Sequence, residues 1–214
     1  MGDLIVHLVD DDDAIRRSTG FLLKTSGFYV VTYASGDDFL QRARDAASGC
    51  VLLDIRMPGT DGLDVQQEMI NRGIGLPVIM LTGHGDVALA VRAMKAGAVD
   101  FLEKPFEKAA LLSSVEKAFQ RLSTGDRLKL SAADAGVKLA SLTARERDVV
   151  EGLIKGHPNK TMAHDLGISP RTVEIHRANL MRKLDAASLS EVLQIAFAAK
   201  VGGDDDDSLP VETT

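Results

Sequence analysis

Three aspartates, a threonine and a lysine hold most of the reactive chemistry in this 214-residue chain. Asp10 and Asp11 follow the apolar run Leu4–Val9, and Asp54 follows Cys50–Leu53. Thr82 follows Pro77–Leu81, and Lys104 stands just past Val99–Leu102. If those runs are strands of one parallel sheet, all five polar groups meet beyond its carboxyl edge, where such sheets bind ligands. Three close carboxylates repel one another and require a cation. All-oxygen ligation with positions left for water suits Mg²⁺. A carboxylate beside that ion, an ammonium and a hydroxyl is equipped to receive a phosphoryl group, with Asp54 as the nucleophile. Taken singly, Asp54 opens a turn-rich stretch, D-I-R-M-P-G-T-D-G, and Lys104 is a surface charge. Convergence is what gives them meaning.

The elements that must bring them together can be read from the spacing. Five apolar, β-branched runs, Leu4–Val9, Phe28–Tyr33, Cys50–Leu53, Pro77–Leu81 and Val99–Leu102, each have strand length. About twenty residues separate successive starts, room for one helix and two loops. Ala14–Ser26, Phe39–Ala47, Leu63–Asn71 and Val87–Ala96 fit helices, and Asp12 or Asp13 can cap the first. Gly27, Gly73 and Gly97 follow three of them, where a left-handed residue is wanted. Five β-α pairs imply an α/β doubly wound parallel sheet with right-handed crossovers. His7, inside a strand, reads as a structural histidine, His84 as a loop residue and Cys50 as core.

The remainder differs in charge and pattern. Residues 1–121 sum to −4, residues 122–140 to +1, residues 141–200 to +2 and residues 201–214 to −5, which add to the chain's −6. An acidic front half argues against nucleic acid there, and the mildly basic third quarter permits it. No window reaches the length of a membrane span, no basic segment introduces a secretory signal, and one cysteine excludes an internal disulfide. A cytoplasmic setting is therefore expected. Residues 123–140 are small and mixed and read as a linker, with a helical extension reaching toward Leu130; residues 201–214 read as a disordered acidic tail.

Residues 141–200 read as helices throughout. Thr143 and Glu146 make a capping box ahead of Val149, Val150 and Leu153. Asn159 is placed to cap a short helix ending at Gly167, and Ser169-Pro170 opens a longer one. A fourth is expected over Ala187–Ala199. A short helix, a glycine turn and a longer Arg-rich helix make a helix-turn-helix, whose second member enters the DNA major groove. Its outward face offers Arg171, Glu174, Ile175, Ala178 and Arg182.

The motifs VDDDD (Val9–Asp13), LLDIRMPGTDG (Leu52–Gly62), PVIMLTGHGD (Pro77–Asp86) and AGAVDFLEKPF (Ala96–Phe106) resemble the receiver domain of bacterial two-component response regulators, the FixJ group in particular. The resemblance implies a flavodoxin-like (βα)5 domain over residues 1–122, with sheet order 2-1-3-4-5. It implies Mg²⁺ held by Asp10, Asp11, Asp54 and the backbone carbonyl of Arg56, and phosphorylation at Asp54. Thr82 and Phe101 take the switch roles, Lys104 the phosphate-binding role, and Lys104–Pro105 a cis peptide. Thr60 departs from the Met or Ser usual in that family, with little consequence expected. A symmetric dimer on phosphorylation is implied, with Val91 and Lys95 as contacts.

Leu142–Leu184 resembles the LuxR-type, or GerE-type, DNA-binding domain, an all-α four-helix helix-turn-helix unit expected over 141–200. By position, Glu174, Ile175 and Ala178 face bases, and Lys160, Thr172, His176, Arg177 and Lys183 face phosphates. Glu174 stands where a basic residue is common. The two resemblances together imply a transcription regulator rather than a stand-alone enzyme: it accepts phosphate and autodephosphorylates. Its implied partners are a sensor histidine kinase, double-stranded DNA, RNA polymerase and a second copy of the chain.

Overall fold

Five short apolar runs become the strands β1 (Ile5–Val9), β2 (Tyr29–Tyr33), β3 (Gly49–Asp54), β4 (Val78–Thr82) and β5 (Asp100–Glu103). The structure, a computed structural model, describes residues 4–43, 46–83, 87–124 and 132–201. The strands form one sheet in the order β2-β1-β3-β4-β5, with every neighbouring pair parallel. Helices α1 (Asp13–Thr25), α2 (Gly36–Arg42), α3 (Gly62–Asn71), α4 (Val87–Lys95) and α5 (Lys108–Thr124) alternate with them. Strands β3 and β4 are buried along their whole length, as strands covered on both faces must be. Val6, Leu8, Cys50, Leu52, Ile79 and Leu81 pack one face against Leu23 of α1 and Leu111, Val115 and Ala118 of α5. Each such buried aliphatic side chain contributes about 1.5–3 kcal/mol. The alternate residues His7, Val9, Val51, Leu53 and Met80 are buried against the other face.

Local signals explain where the helices begin. The Asp12 side chain accepts from Ala14 and Ile15 N–H and starts α1. α2 begins three residues before the expected Phe39, because Ser35 accepts from Asp38 N–H and caps it. Gly27, Gly73 and Gly97 have the positive φ expected after α1, α3 and α4. His7 is structural, as expected: it is buried, with Nε2 2.9 Å from the Ala47 carbonyl and Nδ1 3.1 Å from the Tyr33 hydroxyl. A carbonyl only accepts, so Nε2 donates to it.

The chain divides into two units, Met1–Leu128 and Lys129–Thr214. The second contains α6 (Ala132–Ala140), α7 (Ala144–Ile154), α8 (Asn159–Leu166), α9 (Pro170–Leu184) and α10 (Leu189–Val201). Helix α6 lies within the segment that composition suggested was linker. It forms because Ala135, Lys138, Leu139 and Leu142 recur at helical spacing, with Ala135 and Leu142 buried and α6 packed on α10. Alanine and glycine concealed that stripe. The expected extension toward Leu130 and the acidic tail past Val201 lie outside the described residues. The Thr143–Glu146 capping box is present at α7. Asn159 does not cap α8: Pro158 holds that position without a side-chain bond, and Asn159 Oδ1 accepts from Arg177 at 2.8 Å. Gly167 closes α8 at φ 65°, and Ser169 caps α9 with Pro170 at its first position.

Candidate functional site

Strand β3 ends at Asp54, and β1 and β5 end one residue before Asp10 and Lys104, so parallel register delivers all three to one edge. Lys104 Nζ donates to Asp10 Oδ2 at 2.6 Å and lies 2.9 Å from Asp54 Oδ2. Asp10 is fully buried and Asp54 nearly so, while Asp11 is exposed. One carboxylate oxygen from each of Asp10, Asp11 and Asp54 lies within 4.8 Å of the others. That is an all-oxygen donor set of the kind a hard divalent cation takes.

Asp10 is held at nearly every polar atom. Its Oδ1 accepts from Asp12 N–H at 2.9 Å, its carbonyl from Arg16 Nη1 at 2.7 Å, and its own N–H donates to the Tyr33 carbonyl at 3.3 Å. Arg16 also pairs with Asp13 at 3.2 Å. Burial pushes the Asp54 carboxyl above its ordinary pKa, against the opposing pull of Lys104 and the Arg56 backbone N–H that bonds it. Burial draws Lys104 down, but its bonds to Asp10 and Asp54 outweigh that and leave its pKa raised. The ionised carboxylate is therefore under-compensated by protein alone.

Thr82 ends β4 and is buried. Its carbonyl accepts from Lys104 N–H at 2.8 Å, tying the lysine's backbone to the strand. Phe101 is half-buried on β5. The register pairs Met80 with Phe101 and Thr82 with Glu103, so Thr82 and Phe101 project from the same face, one step apart. The Lys104–Pro105 peptide is cis, as expected. Arg56 follows Asp54 in a loop whose ends are fixed: Ile55 N–H donates to Leu81 O at 3.0 Å, and Gly62 N–H to Ile55 O at 2.9 Å. His84 lies outside the described residues. Val91, named above as a contact between copies, is buried in this structure, where α4 turns Ala90, Val91, Ala93 and Met94 inward. Lys95 is exposed.

In the second unit, Arg171, Glu174, Ile175, Ala178 and Arg182 are exposed along α9, as expected, and Lys160 is exposed on α8. Ile175 is 51% exposed, a large apolar side chain facing solvent. Arg171 Nη1 pairs with Glu174 at 2.9 Å, and Arg182 donates to Asn179 at 3.1 Å. Thr172 Oγ1 lies 2.9 Å from Ser169 Oγ, and His176 is half-buried. Two residues expected at phosphates have partners within the chain. Half-buried Arg177 donates to Asn159, and Lys183 Nζ sits 2.7 Å from buried Glu146 Oε2. The same Glu146 oxygen accepts from Thr143 N–H at 2.8 Å. Lys183, with the Thr143 N–H and side chain, holds the Glu146 carboxyl down at a pKa of about 2.

Several contacts had no warning in the sequence. The Arg16 bond to a main-chain carbonyl, the Lys183 bond to Glu146 and the Lys138 bond to the Leu184 carbonyl at 3.2 Å all depend on side-chain direction. Thr60, expected to matter little, donates to Asp37 Oδ1 at 2.6 Å. Among the described residues, no helix is long and apolar enough to cross a membrane.

Comparison with known proteins covers both units. Residues 6–116 match the response regulator receiver domain, and residues 140–196 match the bacterial regulatory proteins of the luxR family. The transcriptional regulatory protein FixJ of Azorhizobium caulinodans is 48% identical over 203 residues, spanning 95% of this chain and 96% of that protein. FixJ of Bradyrhizobium diazoefficiens is 45% identical, spanning 91% of this chain and 95% of its own length. Among solved structures, full-length FixJ from B. japonicum superposes with a TM-score of 0.57 at 43% identity, over 94% of this chain and 99% of that one.

Proposed function

The chain belongs to the two-component response regulators that carry a receiver domain and a LuxR-type DNA-binding domain, and from that premise we propose which of its residues do the work. It is a regulator of transcription, not a stand-alone enzyme, and its partners are a histidine kinase and DNA. The phosphoacceptor is Asp54. The observation that carries this assignment is the contact of Lys104 with both Asp10 and Asp54 at 2.6 and 2.9 Å. Side chains far apart in sequence converge there on a raised-pKa carboxylate that has an open, exposed acidic neighbour in Asp11.

A divalent ion, Mg²⁺ by ligand type, would be held by Asp10, Asp11, Asp54 and the Arg56 carbonyl, and when bound it neutralises charge on the phosphoryl oxygens. The rest belongs to the chain. An Asp54 oxygen attacks phosphorus, the P–N bond to the kinase's phosphohistidine breaks, and its electron pair returns to the imidazole nitrogen. Lys104 moves from spanning two carboxylates to the transferred phosphoryl group, which carries more charge than either carboxylate. Arg16 and Asp12 keep Asp10 fixed meanwhile, so the site need not reorganise. Thr82 donates its hydroxyl to another phosphoryl oxygen, and Phe101 turns into the space it leaves. That reshapes the α4–β5 surface on which two copies then pair. The paired α9 helices enter the major groove at half-sites about 34 Å apart or a multiple of that. Lys160, Thr172 and His176 meet phosphates, while Arg171, Glu174, Ile175, Ala178 and Arg182 face bases. RNA polymerase is the partner downstream.

Sedimentation and DNA binding with and without beryllofluoride test this reading. Phosphate mimicry should produce a dimer and tighter DNA binding in the wild type and neither in Asp54→Asn. Unchanged sedimentation and binding in the wild type would overturn it.

A further inference from the structure

The loop that leaves Asp54 is anchored by an element with no other part in the site. Its two ends are fixed by main-chain bonds at Ile55 and Gly62. Between them, Thr60 Oγ1 donates to Asp37 Oδ1 at 2.6 Å, across 23 residues of sequence. That length is typical of a hydroxyl bonded to a carboxylate, the stronger class of hydrogen bond. Asp37 sits in the first turn of α2. Close packing accompanies the bond. A Cβ on Gly36 would lie 2.9 Å from the Thr60 carbonyl oxygen and 2.4 Å from Val65 Cγ2, so only glycine lets α2 approach the loop this far. Met57, in the same loop, lies 3.6 Å from that position and is buried. The neighbouring Asp38 is engaged with Arg42, at 2.5 Å, which leaves Asp37 as the first-turn carboxylate that reaches the loop.

We propose that Thr60 and Asp37 are positioning residues for the phosphoacceptor loop: their bond fixes the path of Arg56–Thr60, and thereby the placement of the Arg56 carbonyl as an ion ligand. The inference rests on the reading of Asp54, Asp10 and Asp11 as the phosphoryl and ion site. The loop has main-chain anchors at both ends, so its middle can move while its ends stay put. A carbonyl ligand must sit within a few tenths of an ångström of its place for a hard cation, and loss of one supporting bond is felt as affinity. Both side chains are solvent-accessible, so the fold does not depend on the bond.

The test uses the full chain and Mn²⁺ as a spectroscopic probe, followed by electron paramagnetic resonance. Thr60→Val, which keeps the shape and removes the hydroxyl, should weaken Mn²⁺ binding about threefold to tenfold, the worth of one ordinary net hydrogen bond. Asp37→Ala should weaken it equally, and the double variant should be no worse than either single one. Thr60→Ser should restore wild-type affinity. Hydrogen exchange at the Arg56–Thr60 amides, measured without any ion, should quicken in Thr60→Val while β3 and β4 keep their protection. Mn²⁺ affinity within twofold of wild type in both single variants, or additive losses in the double, would overturn the proposal. Failure of the underlying reading is separately visible, because the wild type itself would then bind no Mn²⁺ and form no acyl phosphate from acetyl phosphate.

Discussion

Two lysines hold carboxylates at nearly equal distances, with opposite meanings. Lys104 touches Asp10 at 2.6 Å and Asp54 at 2.9 Å; Lys183 touches Glu146 at 2.7 Å. In the second unit the carboxylate is content. Lys183 and the Thr143 N–H hold its pKa down at about 2, and the pair ties the start of α7 to the end of α9. In the receiver one ammonium serves two buried carboxylates, and burial still leaves Asp54 above its ordinary pKa. Distance does not distinguish a strut from a site; the ratio of buried negative charge to available positive charge does.

The sharpest way to break that contrast is to remove the ammonium from each. Lys104→Ala should cut phosphoryl uptake at Asp54 by about 10²–10³, the scale of losing one preorganised electrostatic partner. Acid-labile label from acetyl phosphate measures it, and Asp54→Asn sets the floor at no label. The receiver should also lose stability when no ion is bound, because two buried carboxylates are left facing one another without a cation. Lys183→Met should separate stability from phosphoryl uptake. It strands a buried carboxylate, costs about 3 kcal/mol in the second unit, and leaves phosphorylation at the wild-type rate. Both tyrosines, Tyr29 and Tyr33, lie in the receiver, so tyrosine fluorescence in a urea titration follows that unit alone while helical circular dichroism follows both. Glu146→Gln keeps the capping geometry and frees Lys183 to solvent, so its cost should be smaller, about 1 kcal/mol.

Acid provides a gentler version. Glu146 has a folded pKa of about 2 against an ordinary value of 4.5. A depressed carboxyl pKa contributes stability that is complete above the unfolded value and is lost as pH falls through the folded one. The second unit should therefore lose stability between pH 4.5 and about 2, and Glu146→Gln should flatten that dependence. A slope in the variant as steep as in the wild type would show that other carboxylates carry it.

Legibility in the sequence follows the same divide. The convergence of Asp10, Asp54 and Lys104 could be read because each sits at or just past a strand end, and strand ends are set by period and spacing. Asp10, Asp54, Thr82 and Lys104 were placed without any knowledge of side-chain direction. The helix-turn-helix was equally open, since Gly167, Ser169 and Pro170 mark its turn. What escaped was everything that depends on which way a long side chain bends. Arg16 reaches back to a main-chain carbonyl, Lys183 crosses to another helix, and Asn159 receives Arg177 where a cap was expected. Helix α6 escaped for a different reason: its inward stripe is built partly on alanine, which carries little hydrophobic signal.

The smallest expected effect separates contact from strut within the DNA-binding unit itself. Lys160 is an exposed cation on α8, whereas the charge of Lys183 is matched by Glu146. A lysine that neutralises one phosphate releases condensed counterion, and its removal lowers the slope of log binding constant against log salt by about 0.9. Lys160→Ala should show that reduction, with affinity falling uniformly across operator sequences. A lysine whose positive charge is already spent on a carboxylate contributes little to the field at the groove. Lys183→Gln, measured where the second unit is still fully folded, should therefore leave the slope near its wild-type value. The slopes are read from DNA-binding isotherms at several salt concentrations. An equal drop in both variants would mean that Lys183 leaves Glu146 for phosphate on binding DNA, and the strut would then be a reserve contact.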